Sequence, residues 1–260
     1  MLSLEQILFF AKQQGLKEGN EKQAMVEYLQ TLILQLLTKY KGSNKISFIG
    51  GTSLRFFYNL PRFSEDLDFD NFGLSEQDFD EIIKELVKDL ILRGFVIDSL
   101  VKFKGAYHCY LRFSNLLYKN NLSAHADEKI LVKIDTTKQD FIFKPERKFF
   151  NRYGITEEIQ VNPVDILMAQ KTMALLGRKR AKGRDFFDFV FLDAITKPNL
   201  EYLKKELGID SLKKLKVLII ERCSKLDFED LAKDVEPFLF NFDDVAKVRK
   251  FRQYISGWNQ

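Results

Sequence analysis

Three acids, Asp66, Asp68 and Asp70, alternate with Leu67 and Phe69 in the run DLDFD, shortly after the segment Gly50-Gly51-Thr52-Ser53. Side-chain direction in a strand repeats every two residues, so the acids would share one face while Leu67 and Phe69 point into a core. Like charges stacked on one strand face repel. A divalent cation offsets that repulsion. Asp66 and Asp68 offer it two hard oxygen ligands suited to Mg²⁺, with Mn²⁺ as the alternative. Asp70 lies nearer the strand end and is not expected to be a ligand.

The upstream segment has complementary chemistry. Glycines let the backbone approach a ligand closely, and the exposed N–H groups of a helix start favour an anion. Thr52 and Ser53 add hydroxyl donors. A phosphate-binding turn facing an acid pair is what metal-assisted phosphoryl or nucleotidyl transfer needs, because the metal bridges carboxylates and phosphates. Taken singly these features are ordinary, since a Gly-Gly pair is usually a turn and alternating acids also fit a solvated edge strand. Their order and spacing together favour a site.

These residues need elements to hold them. KISFIG (45–50) reads as a short buried strand ending at Gly50-Gly51, and DLDFD as a second strand. Between them TSLRFFYNL (52–60) reads as a helix opened by Thr52 or Ser53 and stopped by Pro61. Helical periodicity covers 21–41 and 75–94, the latter entered at Ser75 and left at Gly94. FVIDSLVKFK, AYHCYLRF and KILVKIDT alternate like strands of a mixed or antiparallel sheet. Residues 138–160 lack a clean period and read as a long connection. Within them KPERKFFNRY (144–153) is expected to pack between domains, the alternative being a basic, aromatic surface on which RNA stacks. From Asn162 the pattern is helical, with Asn162 as N-cap and Pro163 at the first helical position. The expected class is α/β (α+β): a mixed sheet with flanking helices over 1–150, then an all-helical part over 151–260.

A second group of chemistry-bearing residues lies in that helical part. Val164, Leu167, Met168 and Leu175 form one helical stripe, and Lys171 lies in its middle. A lysine there either snorkels to solvent, meets a structural carboxylate, or reaches active-site acids or phosphates. Lys171, Arg178, Lys179, Arg180, Lys182 and Arg184 follow with no acid among them, as a solvated helix end or as a clamp for triphosphate or RNA backbone. Asp185 and Asp188, three apart, share a face at the start of the next helix.

Composition bounds the partners. With 260 residues, 45% of them hydrophobic and 30% charged, the chain can bury a substantial core. A net charge of +4 permits a polyanionic partner. Two cysteines, Cys109 and Cys223, form no disulfide or zinc pattern, which points to a reducing compartment. With no signal-peptide pattern and no apolar run long enough to span a bilayer, the expectation is a cytoplasmic protein without a membrane partner. His108 and His125 read as polar strand or loop residues.

The run Gly50-Gly51-Thr52-Ser53, then Arg62-x-Ser64-x-Asp66-Leu67-Asp68-Phe69, resembles the AbiEii/AbiGii-type nucleotidyltransferases, toxin components of type IV toxin–antitoxin and phage-defence systems. The block from Lys171 through Arg184-Asp185-Phe186-Phe187-Asp188 is similar to that family's second signature, a helix lysine followed by an arginine-rich turn and R-D-x-x-D. The resemblance implies a nucleotidyltransferase-like fold and a Mg²⁺-dependent transfer of NMP from an NTP to an acceptor, with RNA such as a tRNA 3′ end among the acceptors. A cognate antitoxin is implied as partner.

The resemblance also implies roles. Asp66 and Asp68 would hold the metal. Gly50, Gly51, Thr52, Ser53, Arg62, Ser64 and Arg184 would bind the nucleotide. Lys171, Asp185 and Asp188 would belong to the catalytic set, Asp188 orienting Lys171 or Arg184 and Asp185 acting in proton transfer. The wider superfamily implies a third carboxylate on a later strand, for which Asp135 in ILVKIDTT is the candidate, as a further metal ligand or as the base for the attacking hydroxyl. Two other readings compete. A catalytically inactive nucleotide- or RNA-binding module would not need both acids, the glycine turn and Lys171, and a D-x-D glycosyltransferase would not need the GGTS turn and the R-D-x-x-D block. A haloacid-dehalogenase-type phosphatase requires D-x-[TV] after its nucleophile, whereas Phe69 and Asp70 follow here.

Overall fold

The computed structural model describes residues 1–258. The chain forms two compact units, one of residues 1–58 and 64–161, the other of 59–63 with 162 onward. In the first, α1 (Leu4–Gln13) and α2 (Glu21–Leu37) precede β1 (Ile46–Ile49), α3 (Gly50–Tyr58) and β2 (Asp66–Asn71). Then come α4 (Glu76–Leu92), β3 (Val96–Lys104), β4 (Ala106–Ser114), α5 (Leu116–Lys119), β5 (Ile130–Lys138), β6 (Glu146–Arg152) and β7 (Ile155–Val161). The strands make one mixed sheet in the order β3-β4-β5-β2-β1-β7-β6. β2 pairs antiparallel with β1 and parallel with β5, so the acid-bearing strand has a neighbour on each side.

The period-2 pattern acts as the sequence predicts. Leu67 and Phe69 are buried, whereas Asp66 and Asp68 are half-buried on the other face. On β5, Ile130, Val132 and Ile134 are buried, and Lys133 and Asp135 are half-buried on the face that carries the acids. α2 is buried along most of its length, with Leu29, Ile33 and Leu34 fully so. α4 begins with a capping box in which Ser75 and Asp78 satisfy each other's backbone N–H groups.

Three expectations are corrected. α3 starts at Gly50, two residues earlier than Thr52, because Gly50 takes φ +78° and turns β1 directly into the helix. Residues 146–161 form the β6–β7 hairpin instead of a connection, and β7 pairs with β1 inside the first unit. The two-residue turn, Tyr153-Gly154, has positive φ at both positions, as a tight hairpin that follows the sheet twist requires. The units therefore divide at Val161 and not at residue 150.

The second unit is helical from its first turn after the sheet: α6 (Val164–Gly177), α7 (Gly183–Asp193), α8 (Leu200–Leu207), α9 (Leu212–Ser224), α10 (Phe228–Val235), α11 (Ala246–Arg249) and α12 (Phe251–Ser256). Pro163 is the N-cap of α6, so that helix opens one residue later than Asn162 as N-cap would place it. Phe186, Phe189, Phe228 and Phe251 form an aromatic core joined by edge-to-face and stacked contacts. Residues 59–63 belong here because they pair with the chain near Leu239: Phe63 N–H donates to Phe238 O at 2.8 Å, and Arg62 bridges Leu239. Both cysteines are free and buried. Among the described residues no helix is long and apolar enough to cross a membrane.

Candidate active site

In the sheet unit the site begins at the junction of β1 and α3. Gly50, Gly51, Thr52 and Ser53 are the first four residues of α3, and the first four N–H groups of a helix have no partner within it. Such N–H groups can receive an anion. Both hydroxyl residues are buried. Thr52 Oγ1 donates to Asp66 O at 2.6 Å and ties the helix start to β2, while Ser53 is fully buried. The donors this segment could offer an anion are therefore its first-turn N–H groups. Ser64 is half-buried, and its carbonyl accepts from Gln30 Nε2 at 3.0 Å.

Asp68 faces the turn at contact distance. A Cβ placed on Gly50 would stand 2.3 Å from Asp68 Oδ2, so only glycine lets the backbone come this close to the carboxylate. One strand further, Asp135 is the register partner of Asp68, and His108 on β4 is the partner of Asp135. Asp135 is engaged on both oxygens: His108 Nδ1 lies 2.7 Å from Oδ1, and the Lys133 ammonium pairs with Oδ2. Asp70 is buried and accepts from Gln139 Nε2 at 3.0 Å. Among the described residues no group of three or more His, Cys, Asp or Glu is arranged to hold a metal ion. Asp66 and Asp68 supply two oxygen-ligand side chains on one strand face, which suits an ion that keeps water and takes its remaining ligands from substrate phosphates. Asp135, with both oxygens engaged, is not a ready third ligand, contrary to the expectation for it.

The helical unit holds a separate, buried ionic cluster. Asp188, fully buried, receives Arg62 through two parallel bonds, Nε to Oδ1 and Nη2 to Oδ2, each 2.6 Å. Lys171 Nζ lies 2.7 Å from Asp188 Oδ2 and 3.8 Å from Asp185 Oδ1, and Arg178 Nε lies 2.9 Å from Asp185 Oδ2. Burial raises the Asp188 carboxyl, but the charges of Arg62 and Lys171 outweigh it and hold the group down at about 2. Arg62 is turned inward, with Nη1 donating to Phe63 O at 2.7 Å. It holds Asp188 in place, which corrects its expected place at the nucleotide. Arg184 lies over the Phe238 ring at 4.3 Å.

A family profile described as nucleotidyl transferase AbiEii toxin, type IV toxin–antitoxin system, matches residues 32–251. The chain belongs to that family. As an AbiEii nucleotidyltransferase toxin it also shares its fold with solved structures. One is MenT4, a nucleotidyltransferase toxin from Mycobacterium tuberculosis H37Rv, with a TM-score of 0.60 at 19% identity, covering 100% of this chain and 91% of that one. Another is JHP933 from Helicobacter pylori, with a TM-score of 0.55 at 19% identity, covering 92% and 93%. A third is a putative nucleotidyltransferase from H. pylori, with a TM-score of 0.54 at 19% identity, covering 92% and 96%. No curated protein matches significantly.

In this AbiEii chain three partners escaped the sequence reading. His108 and Lys133 meet Asp135 through the β4–β5 register and the β5 side-chain period; the register is tertiary and leaves no local signal. Arg178 reaches Asp185 from the C-cap of α6, a position that the basic run concealed among its neighbours.

Proposed function

We propose that this AbiEii toxin transfers NMP from an NTP to an RNA acceptor, with a tRNA 3′ end as the acceptor of first choice, and that it requires Mg²⁺. The observation that carries the proposal is the contact of Gly50 with Asp68, which sets the start of α3, whose first-turn N–H groups have no partner within the helix, beside a carboxylate. Asp66 and Asp68 would hold the ion, and when bound it supplies charge neutralisation at the phosphates. The first-turn N–H groups of α3 orient the triphosphate. The acceptor hydroxyl oxygen forms a bond to the α-phosphorus as the bond to the β-phosphate oxygen breaks. Pyrophosphate leaves, and the hydroxyl proton passes to a carboxylate, for which Asp135 on the acid face of the sheet is the candidate.

Within the helical unit Asp188 orients Lys171, and Lys171 and Arg184 are proposed as basic contacts for a polyanionic substrate. Membership of a type IV toxin–antitoxin family implies an antitoxin that restrains the activity.

The test is incubation with Mg²⁺, total RNA and each α-labelled NTP in turn, beside Asp68→Ala and Lys171→Ala. Label in a discrete RNA band with one NTP, lost in both variants, is the expected result and names the donor. Label on protein would move the acceptor to another class. No label with NTP still bound would favour a binding module.

A further inference from the structure

Nucleotidyl-transfer sites commonly place two divalent ions about 3.5–4 Å apart, one for the attacking oxygen and one for the leaving oxygen, and a carboxylate shared between them. Three acids on neighbouring strands are the usual material for such a pair. Here the third acid has another occupant. Lys133 is the register partner of Asp66 on the adjacent strand, and two residues on, Asp135 is the partner of Asp68. The Lys133 ammonium thus stands on the acid face between these two rows, paired with Asp135 and within the field of Asp66. The ammonium also lies over the Tyr110 ring, its Nζ 5.7 Å from the centroid. His108 closes the other Asp135 oxygen at 2.7 Å. The side chain of Lys133 is only 25% exposed, so the ammonium is built into the sheet face.

We propose that Lys133 is a resident cation of the acid row, occupying by charge the place of a second divalent ion, so that this site takes one divalent ion with the nucleotide. The proposal rests on the nucleotidyl-transfer reading above. A lysine neutralises one carboxylate without needing a free ion, and it fixes Asp135 in a single geometry. It also leaves Asp66 and Asp68 as the pair that coordinates. Removing the ammonium leaves Asp135 with His108 alone, on a face that also carries Asp66 and Asp68. Such a face recruits a cation.

The count of bound ions tests this directly. Equilibrium dialysis with Mn²⁺ and a non-hydrolysable α,β-methylene NTP, read by electron paramagnetic resonance, gives Mn²⁺ retained per nucleotide retained. The wild-type chain is expected to hold one, Lys133→Met two, and Lys133→Arg one. Circular dichroism confirms that each variant is folded before it is counted. Two ions in the wild type overturn the proposal while leaving the nucleotidyl-transfer reading intact. One ion in Lys133→Met, bound with unchanged affinity, overturns it as well. No Mn²⁺ retained with nucleotide by the wild type defeats both, and an Asp68→Ala variant indistinguishable from wild type identifies the underlying reading as the one that failed.

Discussion

Gly50 and Asp68 are in contact across the β1–β2 pair: the backbone of the one leaves no room for a side chain beside the carboxylate of the other. A methyl group at Gly50 would meet Asp68 Oδ2 at 2.3 Å and its Cβ at 3.0 Å, and it would also have to adopt φ +78°. Left-handed backbone costs a residue with a Cβ about 1–2 kcal/mol. The Asp68 side chain would also have to rotate away. Gly50→Ala is therefore expected to lower the urea midpoint modestly and to weaken binding of a fluorescent NTP analogue by tenfold or more. Unchanged nucleotide binding in a folded Gly50→Ala protein would remove the β1–α3 turn from the site.

Arg62 and Asp188 make the second constraint, buried within the helical unit. Breaking a buried ion pair by deleting one partner typically costs about 3–5 kcal/mol, since the remaining charge is left without its counterion. Lys171 still faces Asp188, which places Arg62→Ala toward the lower end of that range. Arg62→Lys is expected to recover only part of the loss, because an ammonium cannot reproduce two parallel bonds to one carboxylate. Urea unfolding of the three proteins gives the order wild type, Arg62→Lys, Arg62→Ala. Equal midpoints for lysine and arginine would show that the fork geometry is immaterial.

What was legible in the sequence was local. The alternation in DLDFD placed Leu67 and Phe69 inward and Asp66 and Asp68 outward, and the capping pattern at Ser75 gave the start of α4. Residues whose partners lie far along the chain were not legible. Arg62 sits in a short segment that pairs near Leu239, and nothing in PRF announces that pairing. Lys133 and His108 meet Asp135 only once the register of β4 on β5 is fixed. The β6–β7 hairpin was hidden for another reason. β6 is an edge strand with charged exposed positions, which weakens its apolar alternation, and its turn uses Tyr153 at positive φ in place of the asparagine or aspartate that usually marks one.

Gly183 controls how α7 meets α10. A Cβ there would stand 1.9 Å from Leu231 O and 2.9 Å from its carbonyl carbon, both backbone atoms that cannot swing aside. Its N–H donates to Asp234 Oδ2 at 2.8 Å, which fixes the same junction. Overpacking of this kind costs about 1–3 kcal/mol or more. Since α7 carries Asp185 and Asp188, the displacement reaches the acid pair. Gly183→Ala is expected to lower the melting temperature by several degrees, and Gly183→Val by more. A wild-type melting temperature in both would mean that the two helices do not touch at Gly183.

The buried carboxylate of Asp188 gives the helical unit a specific acid sensitivity. Its native value, held at about 2, lies below the 3.8 of the unfolded chain. The unfolded state therefore binds the proton first as pH falls, and each step downward favours unfolding. The sign is that of a depressed acid: the contribution is complete above about pH 4 and is lost as pH falls toward 2. Other carboxylates titrate over the same window, so the test is the slope and not the midpoint. Urea unfolding followed from pH 5 to pH 2 should show wild-type stability falling more steeply than that of Asp188→Asn, which has no proton to take up at this position. The Asn variant starts lower, because Arg62 and Lys171 lose their counterion, and the two curves should converge toward acid. Parallel curves across the window would mean that Asp188 is not held ionised by Arg62 and Lys171, and the role of Asp188 in orienting Lys171 would fall with it.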